Sequence, residues 1–136
     1  MRIDHRTSAQ APVDYVERVN RAIDYIVHNL DQPLRLEHVA GVACFSPFHF
    51  HRVFRSLVGE TLNQFVKRLR LERALFLMAH DSQRPLTEVA LSCGFSSSSD
   101  FSRNFRQRYG VPPSALDLET FRNSKRDDIQ TLTAAD

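Results

Sequence analysis

Two quartets of residues share one interval. Phe48, His51, Arg52 and Arg55 fall at i, i+3, i+4 and i+7, and Ser99, Ser102, Arg103 and Arg106 repeat it. On a helix this interval forms a single stripe. Each stripe combines hydrogen-bonding side chains with two guanidinium groups. A guanidinium can donate two parallel hydrogen bonds to O6 and N7 of guanine, hydroxyls reach bases or phosphates, and an outward phenyl such as Phe48 suits a thymine methyl. The chemistry on offer is recognition of a DNA groove rather than bond-making. The plain alternative is a pair of solvated helix faces with no ligand, and the repetition of one face argues against it.

Bond-making has little support elsewhere in the chain. The serines at 92, 96–99 and 102 include no G-x-S-x-G elbow and have no evident His/Asp partner. No acid/base pair or nucleophile constellation appears, so an enzyme is not the expected class. His49 and His51 lie about 200° apart on a helix and cannot share a metal ion, so neither metal nor cofactor is expected. Cys44 and Cys93, the only two cysteines, fall at nearly equivalent turn positions and read as small semi-buried thiols. Most of the ten phenylalanines sit at helical core spacing, with Phe48 the exception.

The elements that must hold these stripes are helices. Val16, Val19, Ile23, Ile26, Val27 and Leu30 describe one amphipathic helix that Pro33 ends. A short helix follows over about 36–42. Ser46-Pro47 opens the next, with Ser46 as N-cap, Phe50, Val53, Phe54 and Leu57 buried, and Gly59 as the stop. Thr61 and Gln64 fit a capping box. The helix they open runs to about Ala79, roughly 28 Å at 1.5 Å per residue, with Leu62, Phe65, Val66, Leu69, Ala74, Leu75 and Met78 on its apolar face. Another short helix spans about 86–92. Ser96 is the expected cap of a helix that buries Phe101, Phe105 and Tyr109 and ends at Gly110, and Pro112-Pro113 start a last short turn. No strand pattern of useful length appears.

These elements repeat. Leu36, Val39, Ala40, Phe45 and Ser46 recur fifty residues later as Leu86, Val89, Ala90, Phe95 and Ser96. The offset then grows by one, and Phe50, Arg52, Phe54, Arg55 and Gly59 recur as Phe101, Arg103, Phe105, Arg106 and Gly110. Each copy reads as short helix, turn and second helix. That is a helix-turn-helix unit, whose second helix offers its outer face to the major groove. The intervening helix could hold the two second helices about one DNA turn apart, roughly 34 Å.

Charge agrees with this reading. The chain carries a net charge of only +2 over 136 residues. Between Arg52 and Arg73, however, six basic residues face two acidic ones, a local net of +4, and Arg103, Arg106 and Arg108 have no acid among them. Two interior basic stretches are the footprint of a polyanion partner. From Asp117 onward five acids face three bases. No run of about 18 apolar residues suggests a membrane span, residues 1–10 have no secretory h-region, and two distant cysteines fit a reducing cytoplasm.

The two stretches PLRLEHVAGVACFSPFHFHRVFRSLVGETLNQFVKRLRLERA and LTEVALSCGFSSSSDFSRNFRQRYGVPPS resemble the DNA-binding domain of the AraC/XylS transcription regulators. The resemblance runs from about Val16 to Ser114. CGF, FSRNF and YGVPPS are its most specific elements, and the size is similar to that of the family's stand-alone activators. FSPFHFHRVFR with RLRLERA is similar to members that carry an added sensor domain, which is not read in this sequence. The resemblance implies an all-α fold of about seven helices, in which two helix-turn-helix subdomains are joined by a long central helix. The expected boundaries are a flexible N-terminus over 1–12, a first subdomain over 13–60, a linker helix over 61–79, a second subdomain over 80–118 and a polar tail over 119–136. It also implies base contacts from Phe48, His51 and Arg52 in copy one and from Ser98, Ser99, Ser102 and Arg103 in copy two, and contact with RNA polymerase. Departures are Cys44 where Gly94 stands in copy two, Arg35 where the family often has a capping Ser, and Leu116-Asp117 where an aromatic–Arg pair is usual. The expected function is that of a monomeric, sequence-specific regulator of double-stranded DNA. The second reading is a protein-interaction module that docks a polymerase or partner regulator with weak DNA contact.

Overall fold

The computed structural model describes residues 13–116. The expectations for residues 1–12 and 119–136 lie outside them. Among the described residues there are six α-helices, one 3-10 turn and no strand: α1 (Val13–His28), α2 (Leu36–Val42), α3 (Pro47–Val58), α4 (Leu62–His80), α5 (Leu86–Ser92), α6 (Ser98–Tyr109) and η1 (Pro113–Ala115). No described helix is long and apolar enough to cross a membrane. The chain divides into two compact units between Arg70 and Leu71, inside α4.

In the first unit, α1 buries Val16, Val19, Ile23 and Ile26 at the helical period. It stops at His28, yet Leu30 in the following turn remains buried in the same core. Arg70 closes that turn, with Nε donating to the Leu30 carbonyl at 2.9 Å and Nη2 to the Gln32 carbonyl at 2.8 Å. The core is completed by Val39 and Ala40 of α2, Phe50 and Phe54 of α3, and Leu62, Phe65, Val66 and Leu69 of α4. The second core gathers Leu71, Ala74, Leu75 and Met78 of α4, Val89 and Ala90 of α5, Cys93, Phe95, and Phe101 and Phe105 of α6.

The single apolar face expected for the central helix is therefore two stripes. Leu62, Phe65, Val66 and Leu69 form one, and Leu71, Ala74, Leu75 and Met78 restart the same interval in the other core. Leu71, absent from the expected set, is almost fully buried. The start of α4 is the expected capping box: Gln64 N donates to Thr61 Oγ1 at 3.1 Å and Thr61 N to Gln64 Oε1 at 3.0 Å. Arg35 precedes α2 with no side-chain capping bond. Leu116, at the family's aromatic position, packs half-buried against the second core.

Candidate nucleic-acid interface

The repeat is exact in element length: α2 and α5 have 7 residues each, α3 and α6 have 12. The turns that join them share one hydrogen-bond scheme. In copy one, Phe45 N donates to Ala40 O at 2.9 Å and Cys44 N to Gly41 O at 3.0 Å. In copy two, Phe95 N donates to Ala90 O and Gly94 N to Leu91 O, both at 3.1 Å. This pair of bonds is a Schellman motif, which places its C′ residue in the left-handed region. Gly94 occupies that position with φ +97°, and Cys44 does so with φ +59° as the sole positive-φ non-glycine among the described residues.

The turn of copy one is held from α1. Arg18 of α1 donates from Nε to the Ala43 carbonyl at 2.7 Å and from Nη2 to the Cys44 carbonyl, and its guanidinium carbon lies 3.7 Å from the centre of the Phe45 ring. The turn thus gains two charge-assisted hydrogen bonds and a cation–π contact from outside the repeat. Sequence reasoning missed this clamp because Arg18 lies 25 residues from its acceptor, where no local pattern reaches.

Beyond the turn, Ser46 caps α3 by accepting from His49 N at 3.3 Å, and Pro47 takes the first helical position. Phe50 and Phe54 are fully buried, with ring centres 5.3 Å apart, and fix the rotation of the helix. All four residues of the first stripe are consequently exposed, Phe48 at 72% among them. Arg52 lies over the Phe48 ring at 5.8 Å. His49 is off the stripe, its ring edge-on to those of Tyr15 and Phe45.

In copy two the cap differs from the expected one. Ser97, not Ser96, accepts from Asp100 N at 3.0 Å, while Ser96 Oγ donates to Asp100 Oδ2 at 3.3 Å. The copy-two turn therefore holds the extra residue before the cap. The S-x-x-D spacing of Ser97 and Asp100 was the available signal. Phe101 and Phe105 are fully buried, and Ser99, Arg103 and Arg106 are exposed, whereas Ser98 and Ser102 are half-buried at the margin of the face. Arg103 Nη2 donates to Asp100 Oδ1 at 2.8 Å, and Asn104 Nδ2 donates to the same oxygen at 3.1 Å. Burial pushes the Asp100 carboxyl upward, but the hydrogen bonds from Arg103 and Ser96 and the Arg103 charge outweigh it, and the group sits below its ordinary carboxylate value.

The basic stretch between Arg52 and Arg73 is smaller in space than in sequence. Arg68 makes a two-pronged ion pair with Glu60, its Nη2 and Nε at 2.7 and 3.0 Å from Oε1, and Arg70 is tied to the carbonyls of the α1 turn. The guanidinium of Arg68 is thus engaged by Glu60, while the neighbouring Lys67 is exposed.

Comparison with known proteins gives a consistent set. A family described as a helix-turn-helix domain matches residues 39–118. The probable transcriptional regulator LumQ of Photobacterium leiognathi is 40% identical over 100 residues, which cover 72% of this chain and 40% of LumQ. The regulatory protein SoxS of Salmonella typhimurium is 30% identical over 96 residues, covering 71% of this chain and 89% of SoxS. The chain spans 34–40% of the length of several relatives, LumQ included. Among solved structures, the DNA-binding domain of the global transcriptional factor AdpA, in complex with a target DNA, superposes with a TM-score of 0.65 at 29% identity, covering 79% of this chain and 91% of that one.

Proposed function

The chain belongs to the AraC-type family of helix-turn-helix DNA-binding regulators, and on that premise we propose that it binds double-stranded DNA sequence-specifically, inserting α3 and α6 into successive major-groove segments. One observation carries the reading. In each copy a fully buried Phe pair turns the same two arginine positions outward, Arg52 and Arg55 on α3 and Arg103 and Arg106 on α6. The AdpA domain, similar over most of the chain, was solved in complex with a target DNA, which supports DNA as the partner. No feature of the described residues favours a protein-interaction module over this.

Arg52 and Arg103 read bases in this account, with Phe48, His51, Ser99 and Ser102 around them, and Arg55, Arg106, Ser98 and Lys67 contribute at the margins and to phosphates. The family likeness extends the proposal to a monomeric cytoplasmic regulator that contacts RNA polymerase. The test is selection of the full chain against a random-duplex library, followed by anisotropy on the enriched duplex at several salt concentrations. Two conserved blocks centred about 10 bp apart are expected. Arg52→Ala should relax preference within one block and cost about 1–3 kcal/mol. Unchanged base preference in that variant would overturn the role of α3, and a single block would restrict reading to one copy.

A further inference from the structure

Arg52 and Arg103 are equivalent in the repeat but not in their surroundings. Three residues before Arg52 stands His49, whose ring is packed on Tyr15 and Phe45, and the guanidinium rests over a phenyl face. Three residues before Arg103 stands Asp100, which accepts its Nη2 at 2.8 Å. The carboxylate is itself held. Asn104 Nδ2 donates to Oδ1, Ser96 Oγ donates to Oδ2, and the backbone N–H of Asp100 is fixed by Ser97 Oγ. Asn104, 7% exposed, is anchored in turn by donating to the Asp100 carbonyl at 2.8 Å. Asp100 is thus an immobile acceptor beneath a side chain that is 71% exposed.

We infer that Asp100 is a positioning residue for base recognition: it holds the Arg103 guanidinium toward the N-terminal end of α6 and so sets the base preference of the second recognition helix. The geometry supplies the reason. A helical side chain leans toward the N-terminus, which is the end of a recognition helix that meets base edges. Arginine loses much rotamer freedom when it docks, and a guanidinium already held on one acceptor loses less of it. One Nη2 hydrogen is used on Asp100, and the other donors of the group have no acceptor among the described residues. The adjacent negative charge also works against capture of Arg103 by a phosphate, which would hold the helix without reading sequence.

The inference rests on the proposed reading in which Arg103 contacts a base, and the experiment separates the two. Duplexes enriched by the unaltered chain are mutated base by base and titrated with the full chain, Asp100→Asn, Arg103→Ala and the double variant. A good bidentate arginine contact discriminates its base by roughly 5- to 150-fold. Asp100→Asn is expected to lose about tenfold at the base pair where Arg103→Ala loses discrimination. The α3 block should be unaffected, binding to an unrelated duplex equal or tighter, and the double variant no worse than Arg103→Ala. If Arg103→Ala loses discrimination and Asp100→Asn keeps it, the positioning role is wrong and the DNA reading stands. If Asp100→Asn weakens every duplex by one factor, the carboxylate only caps the helix and the inference is overturned. If Arg103→Ala changes no preference, the assignment of Arg103 itself fails, and positioning with it. Thermal unfolding accompanies each variant, and Asp100→Ser, which keeps a short acceptor in the first turn, replaces Asn if that variant melts early.

Discussion

Cys44 holds a backbone conformation that costs an L-residue about 1–2 kcal/mol and glycine almost nothing. The equivalent turn in copy two has Gly94, and in copy one Arg18 holds the two carbonyls that flank the strained φ. The clamp and the strain balance each other locally. Cys44→Gly should therefore raise unfolding free energy by about 1 kcal/mol, read from the denaturant midpoint, while the affinity for an enriched duplex stays unchanged. A fall in stability would mean that the thiol packs favourably enough to outweigh its φ. The departure of Cys44 from the family's glycine was visible in sequence. Its remedy was not, because Arg18 acts across space.

Among elements, α6 depends on a cap that periodicity placed one residue early. Ser96 aligns with Ser46 at the fifty-residue offset, but the inserted residue precedes the cap, and Ser97 takes the role. Ser97→Ala should cost about 1 kcal/mol of stability, and Ser96→Ala, which removes a single long bond to Asp100, a few tenths. Thermal unfolding of the pair distinguishes them, and equal losses would contradict the cap assignment. Helix identities, their order, the buried Phe-x3-Phe pairs and the two exposed arginine stripes were all legible, because each follows from local periodicity and from punctuation by Ser-Pro, Thr-x-x-Gln and Gly. What stayed hidden was the division of the α4 stripe between two cores, since Leu71 belongs to no face that continues from Leu69. The half-burial of Ser98 and Ser102 was hidden too, because a five-residue turn sets the rotation of α6 as much as its own sequence does.

Over the whole molecule, net charge says little and its placement says more. Counting residues gives six basic groups between Arg52 and Arg73, yet Arg68 is hydrogen-bonded to Glu60 and Arg70 to the carbonyls of Leu30 and Gln32. Lys67→Ala should reduce the slope of log affinity against log salt by about 0.9 if that ammonium meets a phosphate, with stability changed by less than about 0.5 kcal/mol. Arg68→Ala should leave the slope alone and cost about 1–2 kcal/mol of stability, since it strands Glu60. Parallel salt titrations and melting curves separate the two, and a flattened slope in Arg68→Ala would return that residue to the interface.

The two thiols are far from alike. Cys93 is fully buried in the second core, and Cys44 stands in the open at the foot of α3. A thiol-directed dye accordingly has one address on the folded chain. That address lies two residues before the cap of the first proposed recognition helix, so a reporter can be seated there without changing a single amino acid.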